Sequence, residues 1–213
     1  MTKKETAKQR IIDASRELFS EVGYESTSVR EIAKKAGVNL ASINYYFKSK
    51  KNLLAEIFLL NFETFAQSVG VMYQSKDDWS IEDFALGIFE LLSQKSDEFY
   101  SAFRIFLNDG VTIPEHLDGA SPGYIGPPGG KFFTKVIDSK YGAEIPIWKK
   151  EWLMRTLYNN VVWEFVMLQT SYAKSVKPGL LNDDESKKRI KNVCMCLTKG
   201  VSDEKGELHE VHL

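Results

Sequence analysis

Between residues 39 and 51 the chain sets Asn39, Ser42, Asn44, Tyr45, Tyr46, Lys48, Lys50 and Lys51 close together, with the small Ala41 among them. These side-chain types suit binding more than bond cleavage or group transfer. An Asn amide can pair with the edge of adenine, while hydroxyls and ammoniums suit phosphate oxygens. A small residue near a helix start lets the backbone approach base edges, and the free N–H groups there favour an anion. The chemistry this stretch implies is recognition of a nucleic-acid duplex.

Catalysis has little to work with. Three histidines (His116, His209 and His212) and two cysteines offer no evident nucleophile–base pair. His209-Glu-Val-His212 has a metal-ligand spacing but falls in the last five residues, where fraying is expected. Gly126-Pro-Pro-Gly-Gly130 lacks the Lys-Ser/Thr that would follow in a phosphate loop. Cys194 and Cys196, two apart on a helix, point about 200° from one another. Reduced packing or surface thiols are expected there, and no enzyme, cofactor or metal site.

The binding residues need elements to carry them. Ser28-Val29-Arg30-Glu31 fits a capping box, so a short helix opens at Ser28 and ends at Gly37. Val29, Ile32, Ala33 and Ala36 would pin it to a core. Asn39 suits the cap of a second short helix reaching Phe47, anchored by Val38, Ile43 and Phe47. Ala41, Ser42, Asn44, Tyr45 and Tyr46 are then left outside or flanking the anchor. The alternative for Tyr45 and Tyr46 is packing on the next helix, and Lys34 and Lys35 are expected to be solvated. In front, Ile11, Ala14, Leu18 and Val22 make one stripe of a helix from Glu5 to Val22, stopped by Gly23. Behind, Lys48-Ser49-Lys50 interrupts the pattern before a long helix from about Lys51 past Phe65. Lys48, Lys50 and Lys51 would flank the duplex backbone.

The rest also reads as helix, with segments at 80–94, 98–107, 131–140, 146–174 and 183–199 and one Gly/Pro-rich loop at 119–130. That loop either gates a pocket or is a plain surface loop. Within 146–174, Met154, Tyr158, Val161, Phe165, Leu168 and Tyr172 share one face, and Trp148, Trp152, Arg155, Asn159, Trp163 and Val166 another. A helix apolar around most of its circumference is buried on most sides, which suggests a second subunit. The mixed Trp/Arg/Asn stripe either lines a ligand cavity or is aromatic packing with satisfied polar groups. Phe99, Tyr100, Phe103 and Arg104 form a similar stripe. The expected fold class is all-α.

Charge divides along the same line. Residues 1–51 hold eleven Lys/Arg against six Asp/Glu, a net +5, and the remainder carries −6. A basic head on an acidic body suggests that the head meets a polyanion. No stretch approaches the roughly 18 apolar residues needed to span a bilayer. The polar N-terminus is unlike a secretion segment, so a cytoplasmic location is expected.

The run from Val29 to Leu53, with Ala14, Leu18, Phe19, Gly23 and Tyr24 in front, resembles the DNA-binding segment of the tetracycline-repressor (TetR) family over roughly residues 8–55. The ordered spacing of Gly37, Phe47, Ser49 and Lys50 carries the resemblance. It implies a three-helix helix-turn-helix domain at 1–50 and a helical ligand-binding and dimerisation domain at 51–213. It implies that Ser28 and Arg30 touch DNA, and that Leu40, Ala41, Ser42, Asn44 and Tyr45 lie in or beside the groove. Tyr46 and Lys50 would bind phosphate, with Asn39, Lys48 and Lys51 beside them. Many members have Tyr where Asn44 stands and His where Tyr46 stands, so base preference is expected to differ. The partners implied are a palindromic double-stranded operator, a second copy of the chain and a small-molecule effector that releases the DNA. Candidate effector contacts are Phe103, Arg104, Trp152, Arg155, Asn159 and Trp163. The expected role is repressor, with activator as the alternative and a protein-binding scaffold as a remote one.

Overall fold

Thr6 begins the first helix, its hydroxyl accepting from the Gln9 N–H at 3.2 Å. In this computed structural model, residues 6–94, 96, 99–100, 127–142, 145–175 and 182–203 are described. Among them are helices α1 (Ala7–Glu21), α2 (Val29–Ala36), α3 (Leu40–Phe47), α4 (Lys50–Gln74), α5 (Ile81–Gln94), α6 (Gly130–Tyr141), α7 (Ile147–Gln169), α8 (Ser171–Ser175) and α9 (Asp183–Asp203), and no strand. Backbone packing separates two units, 1–64 with 97–124 and 65–96 with 125–213, so the boundary falls inside α4.

The first unit is a small apolar core wrapped by α1 to α3 and the start of α4. Ile11, Ile12, Ala14 and Phe19 meet Ile32, Ala33 and Ala36, and these meet Ile43, Phe47, Leu53, Leu54 and Ile57. The buried stripe of α1 runs through Ile11, Ile12, Ser15 and Phe19. Val22, expected within that stripe, is exposed because it caps the helix instead.

Gly37 turns α2 into α3. Its φ of 61° and ψ of 42° place it in the left-handed region, where a Cβ costs energy. Its N–H bonds the Ala33 and Lys34 carbonyls, and the Val38 N–H also reaches Ala33. The last carbonyls of α2 are thus satisfied within one residue of the turn.

In the second unit Phe84, Ile88, Phe89 and Leu92 of α5 pack with Phe133, Val136 and Ile137 of α6, the inner face of α7, and Ile190 and Cys194 of α9. Gly129 precedes α6 at φ 77°, and a Cβ there would lie 2.6 Å from Val69 Cβ, so only glycine fits. The Tyr158 hydroxyl donates to the Pro128 carbonyl at 2.7 Å. Glu164, nearly buried, receives two bonds from the Arg189 guanidinium, at 2.8 and 2.7 Å, which clamps α7 to α9.

The helix expected over 146–174 is broken. Thr170 adopts extended backbone, its hydroxyl donates to the Met167 carbonyl and accepts from the Ala173 N–H, and so it closes α7 and starts α8. Tyr172 consequently leaves the buried face and is exposed. The segments 101–126 and 204–213, with Phe103, Arg104, His116, His209, His212 and most of the Gly/Pro loop, lie outside the described residues.

Gly37→Ala is expected to lower stability by about 1–2 kcal/mol through the left-handed backbone alone. Sterics add little, since the nearest group, Arg10 Nη1, would be 3.5 Å away. Urea unfolding measures this, and an unchanged midpoint would contradict it.

Candidate nucleic-acid interface

Two caps set α2 and α3. Ser28 Oγ accepts from the Glu31 N–H at 3.2 Å, and the Ser28 N–H donates to Glu31 Oε2 at 2.7 Å, a complete capping box. Asn39 Oδ1 accepts from both the backbone N–H and the hydroxyl of Ser42, each at 2.8 Å. The side chains of Asn39 and Ser42 are therefore held in place before any ligand arrives.

Ile43 and Phe47 anchor α3, with at most 2% of either exposed. Their spacing of four puts them on one stripe, and the opposite side is bare. Leu40 is 40% exposed, Tyr45 73% and Tyr46 39%, and Ala41, Asn44 and Lys48 are also exposed. Neither tyrosine is buried by the following helix. The two rings meet edge to face at 5.1 Å, and the Lys48 ammonium lies 5.8 Å from the Tyr45 ring. Lys48 takes φ 64°, the one described non-glycine residue with positive φ, and this ends α3 abruptly. Ser28, Arg30 and Lys51 are exposed as well.

Lys50, expected at phosphate, is turned toward the loop before α2. Its Nζ donates to the Tyr24 carbonyl at 2.8 Å and the Thr27 carbonyl at 3.0 Å, and lies 4.2 Å from the Tyr24 ring centre. Lys34 and Lys35 are both exposed, as expected, and Lys35 also pairs with Glu17 on α1 at 2.5 Å. Tyr24 and Thr27 were not legible as partners of Lys50, because 26 and 23 residues separate them from it.

The candidate effector contacts Trp152, Arg155, Asn159 and Trp163 all lie on the exposed face of α7, with Trp163 62% exposed. Among the described residues, the inner face of α7 is formed instead by Leu153, Met154, Leu157, Tyr158, Val161 and Phe165. Phe99 and Tyr100 are half-buried. Of the cysteines, Cys196 is exposed, while burial pushes the Cys194 thiol up to about 12. No group of three or more potential metal ligands occurs among the described residues. No described helix is long and apolar enough to cross a membrane.

The sequence profile of the bacterial regulatory proteins of the tetR family matches residues 11–57, the segment that forms this head. Residues 11–57 thus resemble the DNA-binding segment of that family. A probable helix-turn-helix transcriptional regulator of Bacillus subtilis, YttP, is 35% identical over 115 residues, 54% of this chain and 55% of that protein. The negative regulator IcaR of the Staphylococcus aureus biofilm operon icaADBC is 30% identical over 118 residues, 55% of this chain and 61% of that one. The chain thus spans 55% and 61% of the length of these two relatives. The transcriptional regulator FadR of Bacillus subtilis, solved with stearoyl-CoA, shares the fold at a TM-score of 0.60 and 16% identity, over 90% of this chain and 97% of that one.

The Ser28 hydroxyl, with the Ser28 N–H, holds the Glu31 carboxyl below its ordinary value of 4.5. A carboxyl depressed on folding stabilises above its unfolded pKa and loses that contribution as pH falls through the folded one. Between about pH 5 and about pH 3 the wild type should therefore lose more stability than Glu31→Gln, which cannot titrate. Thermal unfolding across that range measures the difference, and parallel losses would show that the box contributes nothing through ionisation.

Proposed function

We propose that this chain is a sequence-specific DNA-binding transcriptional regulator, a repressor that grips an inverted-repeat operator as a homodimer and is released by a small-molecule effector. The observation that carries the reading is the bare side of α3. Leu40, Ala41, Asn44 and Tyr45 project from a helix fixed by Ile43 and Phe47. A helix held this way fits the major groove, where small residues permit approach and Asn44 can pair with an adenine. Tyr46, Lys48 and Lys51 suit the flanking phosphates, with Ser28 and Arg30 at the start of α2 reaching the neighbouring strand. A net +5 over residues 1–51 supplies the attraction.

The homodimer rests on α7 and α9. Trp148, Trp152 and Trp163 stand exposed on one side of α7, and Met195 and Cys196 are exposed on α9. Three uncovered tryptophans on one helix are a large apolar liability for an isolated chain, and a second copy would cover them. On this reading Trp152, Arg155, Asn159 and Trp163 belong to the dimer face rather than to an effector site. Two reading helices related by a two-fold axis would sit about 34 Å apart, one turn of DNA. Likeness to IcaR, a negative regulator, favours repression over activation. The stearoyl-CoA held by the similarly folded FadR favours a small-molecule effector. Such an effector releases DNA to the extent that it binds the non-matching spacing better.

Selection of bound fragments from a random duplex pool tests the proposal, and an inverted repeat is the expected product. On the selected sequence, Asn44→Ala should lose about 1–3 kcal/mol of discrimination at one base position. Tyr46→Ala should weaken selected and random duplexes by the same factor, about tenfold. Equal losses on both duplexes for Asn44→Ala would remove its base-reading role, and failure to enrich any sequence would remove the proposal.

A further inference from the structure

Three lysines follow the reading helix within four residues, and their surroundings differ. Lys48 and Lys51 are exposed, whereas Lys50 is partly covered and engaged. We infer that Lys50 is a positioning residue of the reading head: its ammonium braces the first turn of α4 against the loop between α1 and α2, and it does not serve as a phosphate contact. The inference rests on the DNA-reading proposal for its functional consequence, but its structural half stands apart from it.

The loop is built around a place for a cation. Thr27 is buried, its hydroxyl donates to the Gly23 carbonyl at 2.8 Å and approaches the Leu18 carbonyl of α1 at 3.4 Å, and its N–H donates to the Tyr24 carbonyl at 3.3 Å. The Tyr24 ring packs edge-on against Phe19 at 5.3 Å. These contacts fix the loop so that the Tyr24 and Thr27 carbonyls and the Tyr24 ring face converge on one point, and Lys50 Nζ occupies it. An ammonium has three donors. Two carbonyls and an aromatic face account for its three directions, which leaves little for a phosphate.

The position of the brace gives it leverage. Thr27 is the residue before the Ser28 cap, so it sets where α2 starts. Lys50 lies three residues beyond Phe47, where α3 ends, and Ser49 Oγ accepts the Asn52 N–H to start α4. One ammonium therefore ties the entry of α2 to the exit of α3 and closes the chain around both reading elements. Without it the two carbonyls lose their shared donor, and the angle between α2 and α3 rests on the Gly37 turn and the core alone. A guanidinium is planar and forked, so it cannot present three converging donors to two carbonyls and a ring.

Lys50→Met, Lys50→Arg and Lys51→Met in the full chain distinguish the two roles. Thermal unfolding, which needs no DNA, should show a lowered midpoint for Lys50→Met and Lys50→Arg and none for Lys51→Met. A double-mutant cycle of Lys50→Met with Tyr24→Leu should show strong coupling. In binding assays below the melting range, Lys50→Met should shrink the ratio of selected to random duplex affinity by about tenfold, with the salt slope unchanged. Lys51→Met should instead reduce that slope by about one and leave the ratio alone. A Lys50→Met protein with wild-type melting, or with a salt slope reduced by about one and an unchanged ratio, overturns the inference. If the wild type retains no duplex at low salt, the DNA-reading proposal fails, while melting and coupling still decide whether the brace exists.

Discussion

Two side chains on one stripe of α3 govern the head. Ile43 and Phe47 are sunk into the core made by Ile11, Phe19, Ile32 and Leu53. Burying two such groups contributes roughly 3–6 kcal/mol, enough to hold an eight-residue helix that would not persist alone. Because a helix carries its side chains around the full circle, fixing one stripe inward forces the opposite stripe outward. The exposure of Leu40, Asn44 and Tyr45 is the consequence of that anchoring, and the proposed DNA-reading role depends on it.

The caps and the turn act on the same helix from its ends. Asn39 and Ser42 lock the first turn, Lys48 at positive φ ends the last, and Gly37 sets the direction in which α3 leaves α2. Each costs or contributes about a kilocalorie per mole, comparable with the binding energy of one good base contact. Under the proposed DNA-reading role, errors in any of them would therefore be felt as altered recognition as well as altered stability. The second unit shows a different economy, with interior phenylalanines and the Glu164–Arg189 clamp on one side of α7 and uncovered tryptophans on the other.

Local signals were legible in the sequence. The Ser28–Glu31 box, the Asn39 cap and the stop at Gly37 depend on residues within four positions of one another, and the structure places each as expected. The inward Ile43 and Phe47 followed from helical spacing. What escaped was set by distant or competing partners. Lys50 turns inward because Tyr24 and Thr27, more than twenty residues away, present carbonyls to it. The α7 stripe of Trp152, Arg155, Asn159 and Trp163 was open to a cavity or to aromatic packing, since periodicity shows that a face exists and not what covers it. The break at Thr170 was hidden because its hydroxyl serves two helices at once, and neither role disturbs the apolar pattern.

The most direct measurement is hydroxyl-radical labelling of the full chain with and without duplex DNA at low salt, read at individual side chains. Tyr45, 73% exposed in the free protein, should become protected along with Leu40 and Tyr46, while Tyr172, exposed on the second unit, keeps its rate. Bound duplex with Tyr45 and Leu40 labelled as fast as in the free protein would contradict the account, because DNA would then be held by some other surface.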